Sequence, residues 1–236
     1  MNDRSKNKTI LGVERTTLAY SEGLRTYMLS VYNYMAMGLG LTGGVALLIV
    51  SSPVLLQTIM PMMWLFIIAP IVLVFFLSFR INAIQFSTAQ MVFWLYAALN
   101  GVAFSVIFLA YTYESIARVF FITAGMFAAM SLYGYTTKRD LTAMGSFLFM
   151  GLIGLIIASV VNIFLASSML QFIVSVAGVI IFTGLTAYDT QSIKEGYVEG
   201  SSAEVAGKRA IFGALRLYLD FINLFLMLLR LMGDRR

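Results

Sequence analysis

Seven stretches of this chain run for about 20 residues with almost no charge, the length an α-helix needs to cross the hydrocarbon core of a bilayer. The pattern predicts spans at Tyr27–Val50, Thr58–Phe79, Thr88–Ala110, Ile116–Tyr135, Thr142–Ala166, Leu170–Ser192 and Ile211–Met232. The expectation is an all-α membrane protein, with residues 27–236 as a single seven-helix transmembrane domain and nothing to suggest a soluble one. Residues 1–26 are polar and mixed in charge and lack the apolar core of a secretory signal peptide, so they read as a cytoplasmic tail. Pro53 falls in a connector, Pro61 in the first turn of the second span, and Pro70 inside it, where a kink is expected.

The last span departs from plain hydrophobicity. Arg216, Asp220, Asn223, Met227 and Arg230 are spaced 4, 3, 4 and 3, which puts them on one helical stripe. Phe221, Leu224, Phe225 and Leu228 take the other faces. A helix with one polar stripe amid apolar neighbours belongs in the bundle interior, with that stripe turned toward a cavity. An ionised carboxylate at the bilayer centre costs roughly 3 kcal/mol on insertion scales, so Asp220 is shielded by the bundle or is a working residue. The sixth span ends in "FTGLTAYDTQSIKEG", with Asp189 in its final turns and Thr183, Thr186 and Thr190 beside it. Gly40 and Gly44 form a G-x-x-x-G in the first span, and Gly151 and Gly154 mark the fifth; both pairs are expected at close helix contacts.

Composition agrees with the spans and removes several chemistries. Of the residues, 60% are hydrophobic and 11% charged. There is no cysteine, so neither a disulfide nor a thiolate is available, and no histidine, the usual pH switch and metal ligand. The net charge of +5 is topological and does not point to nucleic acid. Twelve Lys and Arg residues fall on the side of the N-terminus, against Arg118, Arg230, Arg235 and Arg236 on the other, which places the N-terminus in the cytoplasm. The basic tail dissents from this orientation, and a re-entrant or partly crossing last segment would reconcile it.

Depth links the two aspartates. Asp189 lies five residues before Lys194, and Asp220 four after Arg216, so both sit about 6–8 Å inside the same interface. Their helices are consecutive and antiparallel, and Arg80 ends the second span on the same side. Two carboxylates a few Å apart cannot both ionise cheaply; such a pair shares a proton and makes a pH switch without histidine. A guanidinium such as that of Arg80 binds an ionised acid through a planar fork, as a latch. The competing reading is that each aspartate separately caps or bonds a neighbouring helix. Calcium takes 6–8 oxygens, more than Asp189, Asp220 and Asn223 supply, so weak, transient Ca²⁺ binding fits better than storage. Thr186 and Asn223 are the other polar candidates along an ion path.

The motifs "SLYGYTTKRDL", "GLTAYDTQSIK" and "LYLDFINLFLMLLR" closely resemble the Bax inhibitor family, in particular its bacterial inner-membrane branch, from about Arg25 onward. The resemblance implies six helices wrapped around a central C-terminal seventh. It also implies a pH-sensitive calcium leak channel of the inner membrane, without enzyme activity or cofactor. The gating carboxylate pair then falls on Asp189 and Asp220 and the latch on Arg80. Where some relatives carry a further acid, this chain has Ala69 and Pro70. Other relatives look like modulators of a membrane protease, so a non-conducting regulator that binds other membrane proteins is the alternative. An aspartyl protease is disfavoured because no G-x-G-D is present, and a retinal protein because no lysine lies in the last span.

Overall fold

The structure, a computed structural model, describes residues 3–81 and 83–236, with side chains described from Ser21 onward. Eight α-helices follow in order: α1 Asp3–Ser51, α2 Pro53–Ile59, α3 Met63–Arg80, α4 Phe86–Ala110, α5 Tyr113–Thr136, α6 Thr142–Leu165, α7 Ser168–Glu195 and α8 Ala203–Met232. A 3₁₀ turn at Met60–Met62 joins α2 to α3, so the second span is one segmented crossing and, among the described residues, the helices long and apolar enough to cross a membrane number seven. Pro53 does more than lie in a connector: it occupies the first turn of α2, where its missing N–H costs nothing, behind the Ser52 cap. Pro61 sits in the 3₁₀ turn, and Pro70 lies inside α3.

Several helices outrun their apolar stretches. α1 begins at Asp3, inside the expected tail, and α8 begins at Ala203, not at Ile211. The segment "AEVAGKR" is too polar for a hydropathy window but is helical for local reasons. Ser202 caps it by accepting from the Val205 amide at 3.3 Å, Glu204 sits in the first turn, and Lys208 approaches Glu204 at 3.6 Å, one turn on. At 1.5 Å per residue, the resulting 30-residue helix is about 45 Å long.

That last helix is the most buried of the spans. Its apolar window is 72% buried, against 11–33% for the other spans. It packs directly on α1, α4, α5 and α7, whereas α3 lies mainly on α4 and α6 on α7. The expected ring of six is therefore uneven, with four helices in contact and two standing outside them.

Close helix approaches occur, but not at the expected glycines. A Cβ at Gly40, Gly44 or Gly154 would meet open space, and at Gly151 only the tip of Ile181. The tight crossings are elsewhere. A Cβ at Gly134 would collide with the Ala187 carbonyl across α5 and α7, and one at Gly101 would lie 2.7 Å from the Thr42 carbonyl across α1 and α4. Spacing alone does not reveal which helix face meets a neighbour.

The seven crossings put the two termini on opposite faces. On the N-terminal face, basic side chains tie down connectors: Lys194 donates to the Tyr135 carbonyl at 2.8 Å, Lys208 to Ile84 at 3.1 Å and Arg209 to Gly196 at 3.2 Å. On the C-terminal face, the tail is bound to the α4–α5 connector. Thr112 N–H donates to the Asp234 carbonyl at 3.1 Å, Arg236 N–H to Ala110 at 3.0 Å, and Arg118 pairs with Asp234 at 2.8 Å. Arg235 and Arg236 lie over the rings of Tyr111 and Tyr113, 5.8 and 4.8 Å from their centroids. The re-entrant alternative is thus not adopted: α8 is continuous, and its basic tail is held opposite the N-terminal face.

Candidate functional site

Two local anchors aim the site. The Tyr218 hydroxyl, fully buried, meets Thr42 Oγ1 at 2.7 Å, and that oxygen lies 2.8 Å from the Ala97 carbonyl, so α8 is pinned to α1 and α4. Asp220 follows two residues later, about 200° around the helix, and therefore faces away from that anchor, toward α7. On α7, Gln191 accepts from the Leu141 amide and donates to the Arg139 carbonyl, both at 2.8 Å. That pair of bonds, with the Gly134–Ala187 approach, fixes the rotation of the turn that carries Asp189.

The result is one cluster of two acids and a guanidinium. Arg216 grips Asp189 through both carboxylate oxygens: Nε donates to Oδ2 at 3.2 Å and Nη2 to Oδ1. Its Nη1 also donates to Ser192 Oγ at 3.2 Å. Asp220 follows one turn after Arg216 and lines the same cavity as Asp189. Both aspartates are buried, and among the described residues Asp220 Oδ2 has no hydrogen-bond partner. A fork of this kind is the strong form of an ion pair, and breaking it leaves a buried acid without its counter-charge.

Two cavities flank the cluster. One, about 890 Å³, is a groove between α6 and α8 floored by α7, into which the whole stripe of Arg216, Asp220, Asn223, Met227 and Arg230 projects. The other, about 700 Å³, opens on the N-terminal face and is lined by Ser78, Ser192, Lys208 and Arg209. Arg216 lines both, so its pairing with Asp189 lies between them.

The structure sets Asp189 and Asp220 on one cavity, and the guanidinium expected there from Arg80 is not on the pair. The guanidinium on the pair is that of Arg216. Arg80 stands exposed at the end of α3, with no ion pair among the described residues. Asn223 lines the groove with its amide N–H₂ donating to the Leu219 carbonyl at 2.8 Å. Thr186 does not reach the groove: it is fully buried, and its hydroxyl bonds the Phe182 carbonyl at 2.8 Å. Among the described residues no group of three or more acidic side chains forms a metal site, and one oxygen set of the pair is already taken by Arg216. Arg216 belongs to the polar stripe that the sequence predicts, and its i, i+4 spacing to Asp220 is the signal that puts a guanidinium beside the acids.

A family profile described as "Inhibitor of apoptosis-promoting Bax1" matches residues 24–236. The chain is 50% identical to an uncharacterised protein of Rickettsia prowazekii over the full length of both. It is 49% identical to the Escherichia coli inner membrane protein YbhL, covering 91% of this chain and 94% of that one. An uncharacterised membrane protein of Streptococcus pyogenes is 37% identical over 89% of this chain and 93% of its own.

Proposed function

The chain belongs to the Bax inhibitor family and is a multi-pass membrane protein, and from that premise we propose that it is a pH-sensitive cation leak, with Ca²⁺ as an ion it passes, gated by the Asp189–Asp220 pair and latched by Arg216. The observation that carries this reading is the forked Arg216–Asp189 pair, set between a cavity open to one face and a groove that runs along α8 from Arg216 to Arg230. The N-terminal face is taken as cytoplasmic, because most of the basic side chains stand there.

In the closed arrangement the guanidinium stands between the cavities, and its positive charge opposes an approaching cation more strongly than it would in water. The latch needs Asp189 ionised. A proton that moves onto Asp189 removes the carboxylate that Arg216 grips, and the side chain is then free to swing toward Ser192 and the open cavity. Asp220 and Asn223 would next present oxygens to an ion along the α8 stripe. The sign follows: the latch is strongest at high pH, and leak rises as pH falls through the titration of the pair. Calcium flux into liposomes carrying purified protein tests the reading. Flux at the protein-free level under all pH conditions would reject it in favour of a non-conducting regulator.

A further inference from the structure

The groove beside the acid pair opens sideways. Its outer wall is the α6 face with Phe149, Ile156 and Ile163, all largely exposed, and α6 packs on α7 and not closely on α8. Hydrocarbon therefore reaches the groove at the depth of Asp220. The groove is also charged at both ends, with mostly apolar side chains besides Asn223 and Ser159 between them. Asp220, with its donorless Oδ2, and the Arg216–Asp189 pair stand at one end. Arg230, exposed and without an ion pair among the described residues, stands at the other. The two ends are ten residues apart on α8, about 15 Å. The charged and titratable groups facing the groove are Asp189 and Tyr188 from α7 and Arg216, Asp220 and Arg230 from α8, with none from α6.

We propose that this groove is a binding site for a membrane-dissolved amphiphilic amine, whose ammonium head donates to Asp220 and whose apolar tail lies between α6 and α8. The charge pattern selects that occupant. An ammonium supplies the donor Asp220 Oδ2 lacks, in a charge-assisted bond away from water. The lone Arg230 repels a cation, so the head takes the acid end and the tail points along the groove. An anionic amphiphile would meet the donorless carboxyl there, and a neutral one would gain nothing from it. Bound at Asp220, the amine competes with protons for the same oxygen, so its affinity falls as pH is lowered.

The probe is dansylcadaverine, a primary ammonium on an environment-sensitive aromatic tail, titrated onto purified full-length protein in nanodiscs with no ion gradient. The expected result is saturable, blue-shifted fluorescence. Asp220→Asn should weaken it at least tenfold, and Ser159→Phe, which fills the groove from the α6 wall, should do the same without touching the acid pair. The N-acetylated probe, which has no ammonium, should show only the signal of empty nanodiscs. Equal binding by Asp220→Asn, equal binding of the acetylated probe, or no saturable signal from wild type would each overturn the proposal. Because no flux is measured, the outcome is independent of whether the protein conducts.

Discussion

Replacing Arg216 by Met keeps the length and much of the packing of the side chain but removes the guanidinium. Two hydrogen bonds to Asp189 and one to Ser192 disappear with it. Removing one partner of a buried ion pair costs about 3–5 kcal/mol. The Arg216 side chain retains 28% of its exposure and that of Asp189 12%, so water screens the pair in part, and about 2–3 kcal/mol is the fitting figure. If that energy holds the closed state relative to the open one, its loss raises the open population by about 30- to 150-fold, at about 1.4 kcal/mol per factor of ten. The assay is calcium entry into liposomes at pH 7.5, with monodispersity and melting temperature checked in parallel. Arg216→Met should leak strongly at that pH and gain little more on acidification, because no latch remains to release. The double variant Arg216→Met/Asp189→Asn should be more stable than Arg216→Met alone, since it buries no uncompensated carboxylate. A well-folded Arg216→Met with wild-type leak at pH 7.5 would refute the latch.

Arg80→Ala supplies the contrast: with its side chain exposed and without an ion pair among the described residues, its leak and pH profile should match wild type in the same liposomes. Asp189→Asn and Asp220→Asn should each flatten the rise of leak on acidification, and the double variant should be no flatter than either, because the pair acts as a unit. Gly134→Ala must push α5 from the Ala187 carbonyl and should lower the thermal midpoint by the equivalent of about 1–3 kcal/mol, whereas Gly44→Ala, facing open space, should leave it within error. A cysteine at the exposed Glu199 should react with impermeant thiol reagents in inside-out vesicles and not in intact spheroplasts; the reverse would invert the proposed orientation.

What the sequence determined by itself is what depends on local periodicity and on the solvent. Seven spans follow from hydropathy, because lipid leaves the backbone few alternatives to the helix. The stripe from Arg216 to Arg230 follows from the helical repeat, and its turn toward a cavity follows from the cost of charge in hydrocarbon; all five of its residues line the groove. The matched depth of Asp189 and Asp220 needs only the rise per residue. Tertiary structure decided everything that depends on how each helix is rotated about its axis. The bond between Tyr218 and Thr42 and the contact of Gly134 with Ala187 set those rotations. Once they are set, Arg216 reaches Asp189 across the α7–α8 turn, Arg80 faces outward, Gly40 and Gly44 face open space, and the basic tail folds onto Tyr111 and Tyr113. The lateral groove is of the same kind: it exists because α6 rests on α7 and leaves the polar stripe of α8 open to the bilayer.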